Sequence, residues 1–314
     1  MSIVQIINNF IYITKLYKIF STKKRVVLLY HRVNKKDTIE DYYLKSIFVS
    51  KENFERQMRY LSSSKREDRV LITFDDGYSD NYRYAFPTLQ KYNIRAMFFI
   101  TINFIDKNRY MWIDILNRYA KSKGISMEEF KKIGRKIKML PTQKRDEFLE
   151  TLIKKESLDN DISMGWRELK EMQECGQNIA NHTINHPNFS QEDRETIYKE
   201  LRVAKRRLED KLNIKDIHFA YPDGDIGNQE ESLNILKELG YKYAFTTKRG
   251  VWDEKVDNDL LINRIPIYYW DDLATFVNKI HGINIEDNLS FRALVGKVLR
   301  WIGIKEWVKK KLKY

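Results

Sequence analysis

Cysteine is nearly absent: Cys175 is the single one in 314 residues. No disulfide can form within the chain and no cysteine-rich zinc site can be built, so Cys175 reads as core or helix-end filler, not as a nucleophile. Long apolar runs are missing as well. The first charged side chain is Lys15, and the stretch before it is short of the roughly 20 apolar residues that span a bilayer. A basic n-region is lacking and KIFSTKK offers no small-residue cleavage site, so the expectation is a cytoplasmic chain. Histidine is scarce, with five in all. Neither an internal repeat nor a low-complexity segment breaks the sequence.

Acid is short relative to base: 44 Asp and Glu stand against 57 Lys and Arg, a net charge of +13. Such an excess points to an anionic partner, nucleic acid or a phospholipid surface. No nucleic-acid reading motif accompanies the charge, which argues against the first. Between Arg292 and Lys313 eight basic residues face one acid, Glu306. This tail, 286–314, and the N-terminal segment 1–24 place apolar residues at helical spacing. Each is either an amphipathic helix making peripheral contact with the inner face of a membrane or a helix docked on the body of the protein.

What the chain does have is a regular alternation. Apolar runs of strand length recur at 26–31, 70–76, 96–101, 178–183, 217–222, 243–247 and 260–267, most of them continuous in apolar character as in strands covered on both faces. Helical patterns lie between them, at 51–63, 80–92, 165–175, 190–212 and 229–239. Seven strand–helix units predict an α/β fold with a parallel sheet, a (β/α)7-like distorted barrel over 25–285, with an open doubly wound sheet as the alternative. Residues 104–160 show three helical stretches and no strand. They read as an insertion, either a surface embellishment or a segment with a lid or substrate-binding role.

Chemistry concentrates at the strand ends. The run LITFDDGYSD finishes in Asp75 and Asp76, like charges whose repulsion a divalent cation would offset. In NHTINHPNF, His182 and His186 stand four apart at another strand end, a spacing at which two imidazoles converge on one ion; imidazole with carboxylate suits zinc or another first-row metal. A third run, LLYHRV, ends in His31. His218 and His281 lie elsewhere in their elements and read as structural.

With TFDDG followed about a hundred residues later by HTINHP, and with YHRV, GWRELKEMQECG and FAYPDG, the chain resembles the polysaccharide deacetylase family, the NodB-homology carbohydrate esterases. The early YHRV makes it similar to the branch that deacetylates poly-N-acetylglucosamine. The resemblance implies that Asp76, His182 and His186 hold one divalent metal, zinc foremost with cobalt or nickel as alternatives. It implies that Asp75 is the general base, His31 the acid, and that Asp223 offers its backbone N–H to the oxyanion. Many members carry a base-orienting arginine where this chain has Ala220; Arg264 is the candidate replacement, a surface ion pair being the competing reading. Tyr221 and Trp166 are expected to line the sugar groove.

The implied activity is hydrolysis of the N-acetyl or a similar acyl group of an amino sugar, in a surface polysaccharide or its lipid-linked precursor. An exported polymer deacetylase, or a catalytically dead glycan-binding protein on the same fold, are the alternatives.

Overall fold

The computed structural model describes residues 2–64, 66–106, 110–152 and 162–283. Its strands, in chain order, are β1 (Val26–Tyr30), β2 (Arg32–Asn34), β3 (Phe48–Ser50), β4 (Val70–Phe74), β5 (Ala96–Ile100), β6 (Asn178–Asn181), β7 (Phe219–Ala220), β8 (Ala244–Phe245) and β9 (Ile265–Pro266). β2 and β3 form a separate parallel pair. The other seven make one sheet in the order β8-β7-β6-β5-β4-β1-β9, every pairing parallel.

The last segment curls this sheet towards closure. The Ile262 N–H donates to Ala244 O at 2.9 Å and the Arg264 N–H to Lys248 O at 3.0 Å, on the β8 side, while the Ile267 N–H donates to Leu29 O at 3.0 Å, on the β1 side. The seven strand-length runs read from the sequence therefore form the (β/α)7-like barrel, and the open-sheet alternative is set aside.

Strand alternation sorts the core into two layers. Val27, Met97, Phe99, Ala180, Ala220, Phe245 and Ile262 pack together inside the barrel. Their neighbours in sequence, among them Val26, Leu28, Phe98, Ile179 and Phe219, pack outward under the helices. Two-sided burial is why these strands lack the polar alternation of a half-exposed sheet.

Between β5 and β6 lie the helices Trp112–Lys123, Met127–Lys138 and Thr142–Leu152. They gather a small core of their own around Phe104, Leu116, Phe130 and Leu149, shared with Tyr78 from the barrel.

The N-terminal helix, Ile3–Ile13, is docked. Ile6, Ile7 and Ile11 are buried, and the Asn278 side chain donates to Asn8 O at 3.1 Å and Asn8 Oδ1 at 2.8 Å. Of the two readings of this segment, the helix packed on the body is the one its buried face matches. The basic tail 286–314 lies outside the described residues. Among the described residues no helix is long and apolar enough to cross a membrane.

His281, which ends the helix Leu273–Ile280, shares a 2.8 Å hydrogen bond with Ser21 Oγ. Burial, with Arg66 and Lys18 nearby, lowers its pKa to about 4. The unfolded chain therefore binds a proton that the folded one refuses between about pH 6.5 and 4. The stability this confers is complete above that window and lost as pH falls through it. Thermal melts across the window should show Tm declining with acid, and a His281→Gln variant should show a shallower decline.

Candidate active site

Two adjacent residues of a strand point to opposite faces, yet Asp75 and Asp76 line the same cavity. The backbone explains it. The Asp75 N–H still donates to Tyr30 O at 3.1 Å, keeping strand geometry and the inward direction shared by Thr73. Asp76 has φ 78°, and a left-handed residue breaks the alternation, turning its carboxylate back into the barrel mouth. Gly77 follows at φ 102°, a conformation open to glycine and strained for other residues.

The HTINHP loop after β6 is strained in the same way. Thr183 has φ 69° and His186 φ 53°; such non-glycine conformations cost on the order of 1–3 kcal/mol each and persist where surroundings over-determine them. Here the surroundings are visible. Glu200 Oε2 accepts from the N–H groups of Ile184 and Asn185, both at 2.9 Å. Buried Arg145, from the insertion, donates to His186 O at 2.7 Å and Asn185 O at 2.8 Å.

The loop thereby delivers both imidazoles to Asp76. His182 Nε2 and His186 Nε2 each stand 3.5 Å from Asp76 Oδ1, and the three ligand atoms lie within 4.8 Å of one another. Two ligands on a tetrahedral zinc with bonds of 2.0–2.1 Å would be about 3.3 Å apart. His182 Nδ1 is 2.8 Å from Ala220 O; a carbonyl only accepts, so Nδ1 carries a proton and Nε2 is the atom left to meet an ion. Burial, reinforced by His182, drives the pKa of His186 well below its ordinary value, leaving the neutral form a metal requires. Three buried donors in this arrangement fit a divalent ion.

Asp75 stands outside that set and is held by Arg264. Nη1 donates to Oδ1 and Nη2 to Oδ2, both at 2.7 Å; Arg264 also donates to Thr246 O and Thr73 Oγ1 and lies over the Phe99 ring. Arg264 is fully buried, so the pair is not a surface contact. Burial pushes the Asp75 carboxyl up, but Arg264, followed by His182 and His31, outweighs it and holds the pKa at about 2. Ala220, the position at which family resemblance leads one to look for an arginine, faces the same barrel interior; its small side chain leaves room for the guanidinium arriving from the neighbourhood of β9.

His31, between β1 and β2, lines the cavity with both aspartates, as do Asp223 and Thr247. Asp223 has φ 54°, and its N–H makes no hydrogen bond among the described residues. The turn that presents it depends on Gly224, at φ 72°, where a Cβ would stand 1.9 Å from Thr247 Oγ1. Gly224→Ala must displace this turn. A shift of about 1 Å in a positioned group costs on the order of 10²-fold, so steady-state kinetics at matched metal content should show a drop of that size in kcat with KM less affected.

Two expected groove residues are elsewhere. Tyr221 is fully buried, with its hydroxyl donating to Leu260 O at 3.1 Å and its ring edge-on to Phe189 and Phe219; it is core because it has the outward parity of β7. Trp166 is the first residue of the helix Trp166–Glu174, packs against the main core and donates from Nε1 to Asp106 at 2.7 Å. The cavity, about 420 Å3, takes its apolar wall instead from Leu44, Ile47, Met111, Trp112, Ile113 and Phe130, and a basic wall from Lys131, Arg135 and Lys138. Most of these belong to the insertion. The spacing 131, 135, 138 is a one-face helical pattern visible in the sequence, but nothing local says which face meets the barrel.

Comparisons with known proteins bear on the fold and the family. The polysaccharide deacetylase family model matches residues 62–244. A Staphylococcus aureus poly-beta-1,6-N-acetyl-D-glucosamine N-deacetylase is 22% identical over 283 residues, covering 79% of this chain and 80% of its own. A Bacillus subtilis protein provisionally named a polysaccharide deacetylase is 24% identical over 246 residues, 72% of this chain and 66% of its own length. Among solved structures, the Streptococcus pyogenes deacetylase PplD in complex with acetate superposes with a TM-score of 0.58 at 19% identity, over 83% of this chain and 98% of that one. The fold is shared, the family model spans more than half of the chain, and TFDDG and HTINHP fall inside the matched region: the chain belongs to the polysaccharide deacetylase family.

Proposed function

We propose that this protein is a metal-dependent N-deacetylase that hydrolyses the acetyl, or a similar small acyl group, from an amino sugar of a surface polysaccharide or of its lipid-linked precursor. The observation that carries the reading is a buried Asp76–His182–His186 set beside a carboxylate, Asp75, that is bound by an arginine and left out of the set.

An ion held by Asp76, His182 and His186, with zinc the first choice and cobalt or nickel behind it, supplies Lewis acidity to the amide carbonyl and acidifies a water. The remaining work falls to the chain. Asp75, ionised throughout the neutral range and aimed by Arg264, accepts a proton from the attacking water. The Asp223 N–H donates to the carbonyl oxygen as negative charge develops there, a contribution of about 3 kcal/mol for one well-placed donor. His31 protonates the leaving nitrogen, which would otherwise depart as a prohibitively basic anion. Lining one cavity, the base, the acid and the oxyanion donor can surround a single amide.

The test is release of free amine and acetate from N-acetylglucosamine oligomers and from lipid-linked N-acetylamino sugars by zinc-, cobalt- or nickel-loaded protein. Amine release by the wild type and not by Asp75→Asn supports the assignment; its absence with every N-acetylated sugar overturns it. The net charge of +13 supports a place of action at the cytoplasmic face of a membrane. Recovery of the protein solely from the cell exterior would favour the exported polymer deacetylase.

A further inference from the structure

The cavity's charges do not cancel. Its three acids are committed: Asp75 to Arg264, Asp76 to the two histidines, and Asp223 to Lys138, whose Nζ lies 2.6 Å from Asp223 Oδ1. Of its basic wall, Lys138 is used in that contact and also lies over the Trp112 ring at 5.3 Å. Lys131 and Arg135 remain. Both line the cavity and both are exposed, and neither has an ion-pair or hydrogen-bond partner among the described residues. Glu128, one turn before Lys131 on the same helix, makes no ion pair with it.

The three cations are set by the helix Met127–Lys138 as a ladder. Its rungs are one turn apart, so Arg135 and Lys131 lie about 5 and 10 Å further along the helix axis than Lys138. Lys138 marks the inner end, at Asp223 and the reacting carbonyl. Leu44, Ile47 and Met111 also line the cavity, and such apolar neighbours weaken solvent screening of a charge placed beside them. A neutral acetylated sugar gives two unpaired cations nothing to do. An exposed lysine and an exposed arginine on a chain of net charge +13 would be unremarkable on an open face, but here they border the cavity that contains the acid–base groups of the proposed reaction.

Resting on the deacetylase reading above and refining its substrate, we infer that the saccharide turned over here is anionic: it carries a phosphate ester or a carboxylate within about two helical turns of the acylated nitrogen, held by Arg135 and Lys131. Arg135 offers a planar fork to either oxyanion, and Lys131 adds a point charge.

The experiment compares kcat/KM for three oligosaccharides that share one N-acetylglucosamine residue: a neutral one, one with a phosphate ester on the adjoining position, and one with a glucuronate there. Two partly exposed cations should favour a charged substrate over the neutral one by about tenfold at low salt. That ratio should fall towards one in a Lys131→Glu/Arg135→Glu double variant, and in the wild type when ionic strength is raised. The arm that shows the larger ratio identifies phosphate or carboxylate as the anion. Equal turnover of all three by the wild type, or a ratio unmoved in the double variant, overturns the inference and leaves the deacetylase reading intact. Failure to release amine from any of them overturns the deacetylase reading, and the inference falls with it.

Discussion

Asp76→Ala should bind no stoichiometric metal and should lose turnover on the order of 10³-fold or more. The reasoning is local. Asp76 Oδ1 is the atom that both imidazoles approach at 3.5 Å, and the triad supplies all the described ligands of the candidate site. Removing the carboxylate leaves two neutral nitrogens, too few donors for tight binding of zinc, whose catalytic sites use three protein ligands. A metal's contribution to stabilising an oxyanion is several kcal/mol, and each 1.36 kcal/mol is tenfold in rate. Metal content by elemental analysis and amine release by the same sample are the measurements. Full turnover in a metal-free Asp76→Ala sample would sink the assignment. Chelation of the wild type should reproduce the loss, and added zinc should reverse it in the wild type alone.

The second large effect is on stability as well as rate. Arg264→Met leaves the Asp75 carboxylate buried without its cation, a change that typically costs about 3–5 kcal/mol. Asp75→Asn leaves Arg264 charged in the barrel interior and should be costly for the same reason. The double variant, with neither charge, should be less destabilised than the sum of the two, because a buried pair gains little over its removal as a unit. Denaturant melts of the four proteins close the cycle, and strict additivity would show that the two groups do not depend on each other.

Acid sensitivity follows with a definite sign. Arg264 and its neighbours hold the Asp75 carboxyl at about 2, below the range of an unfolded chain, so its contribution is present above about pH 4 and lost as pH falls towards 2. Arg264→Lys restores the charge but not the fork that grips both oxygens. It should recover more stability than kcat, which separates a positioning role from a merely structural one.

Particular residues also bear on the role of the insertion. Phe130, Gly134 and Ile137 are buried on one side of the helix Met127–Lys138, and Lys131, Arg135 and Lys138 reach the cavity. Arg145 grips the backbone of the histidine loop. Of the two readings open from sequence, surface embellishment and a contribution to the site, the geometry matches the second.

The barrel and the residues at its rim were legible from sequence because both are local signals. A strand buried on two faces must be continuously apolar, and Asp75, Asp76, His31 and His182 each close such a run, with His186 four residues beyond the last of them. What tertiary structure decided was everything that depends on direction. Asp76 joins Asp75 in one cavity only through a left-handed backbone; Arg264 reaches Asp75 across 189 positions of chain because its strand parity and the small Ala220 coincide inside the closed sheet. Of two aromatics close in sequence to the motifs, Tyr221 turned into the core and Trp166 packed half-buried against it, since parity along a strand and phase around a helix, not nearness in sequence, determine which way a side chain faces. The wall of the cavity came from an insertion whose docking rests on long-range packing, and no pattern of residue types along a single segment encodes that.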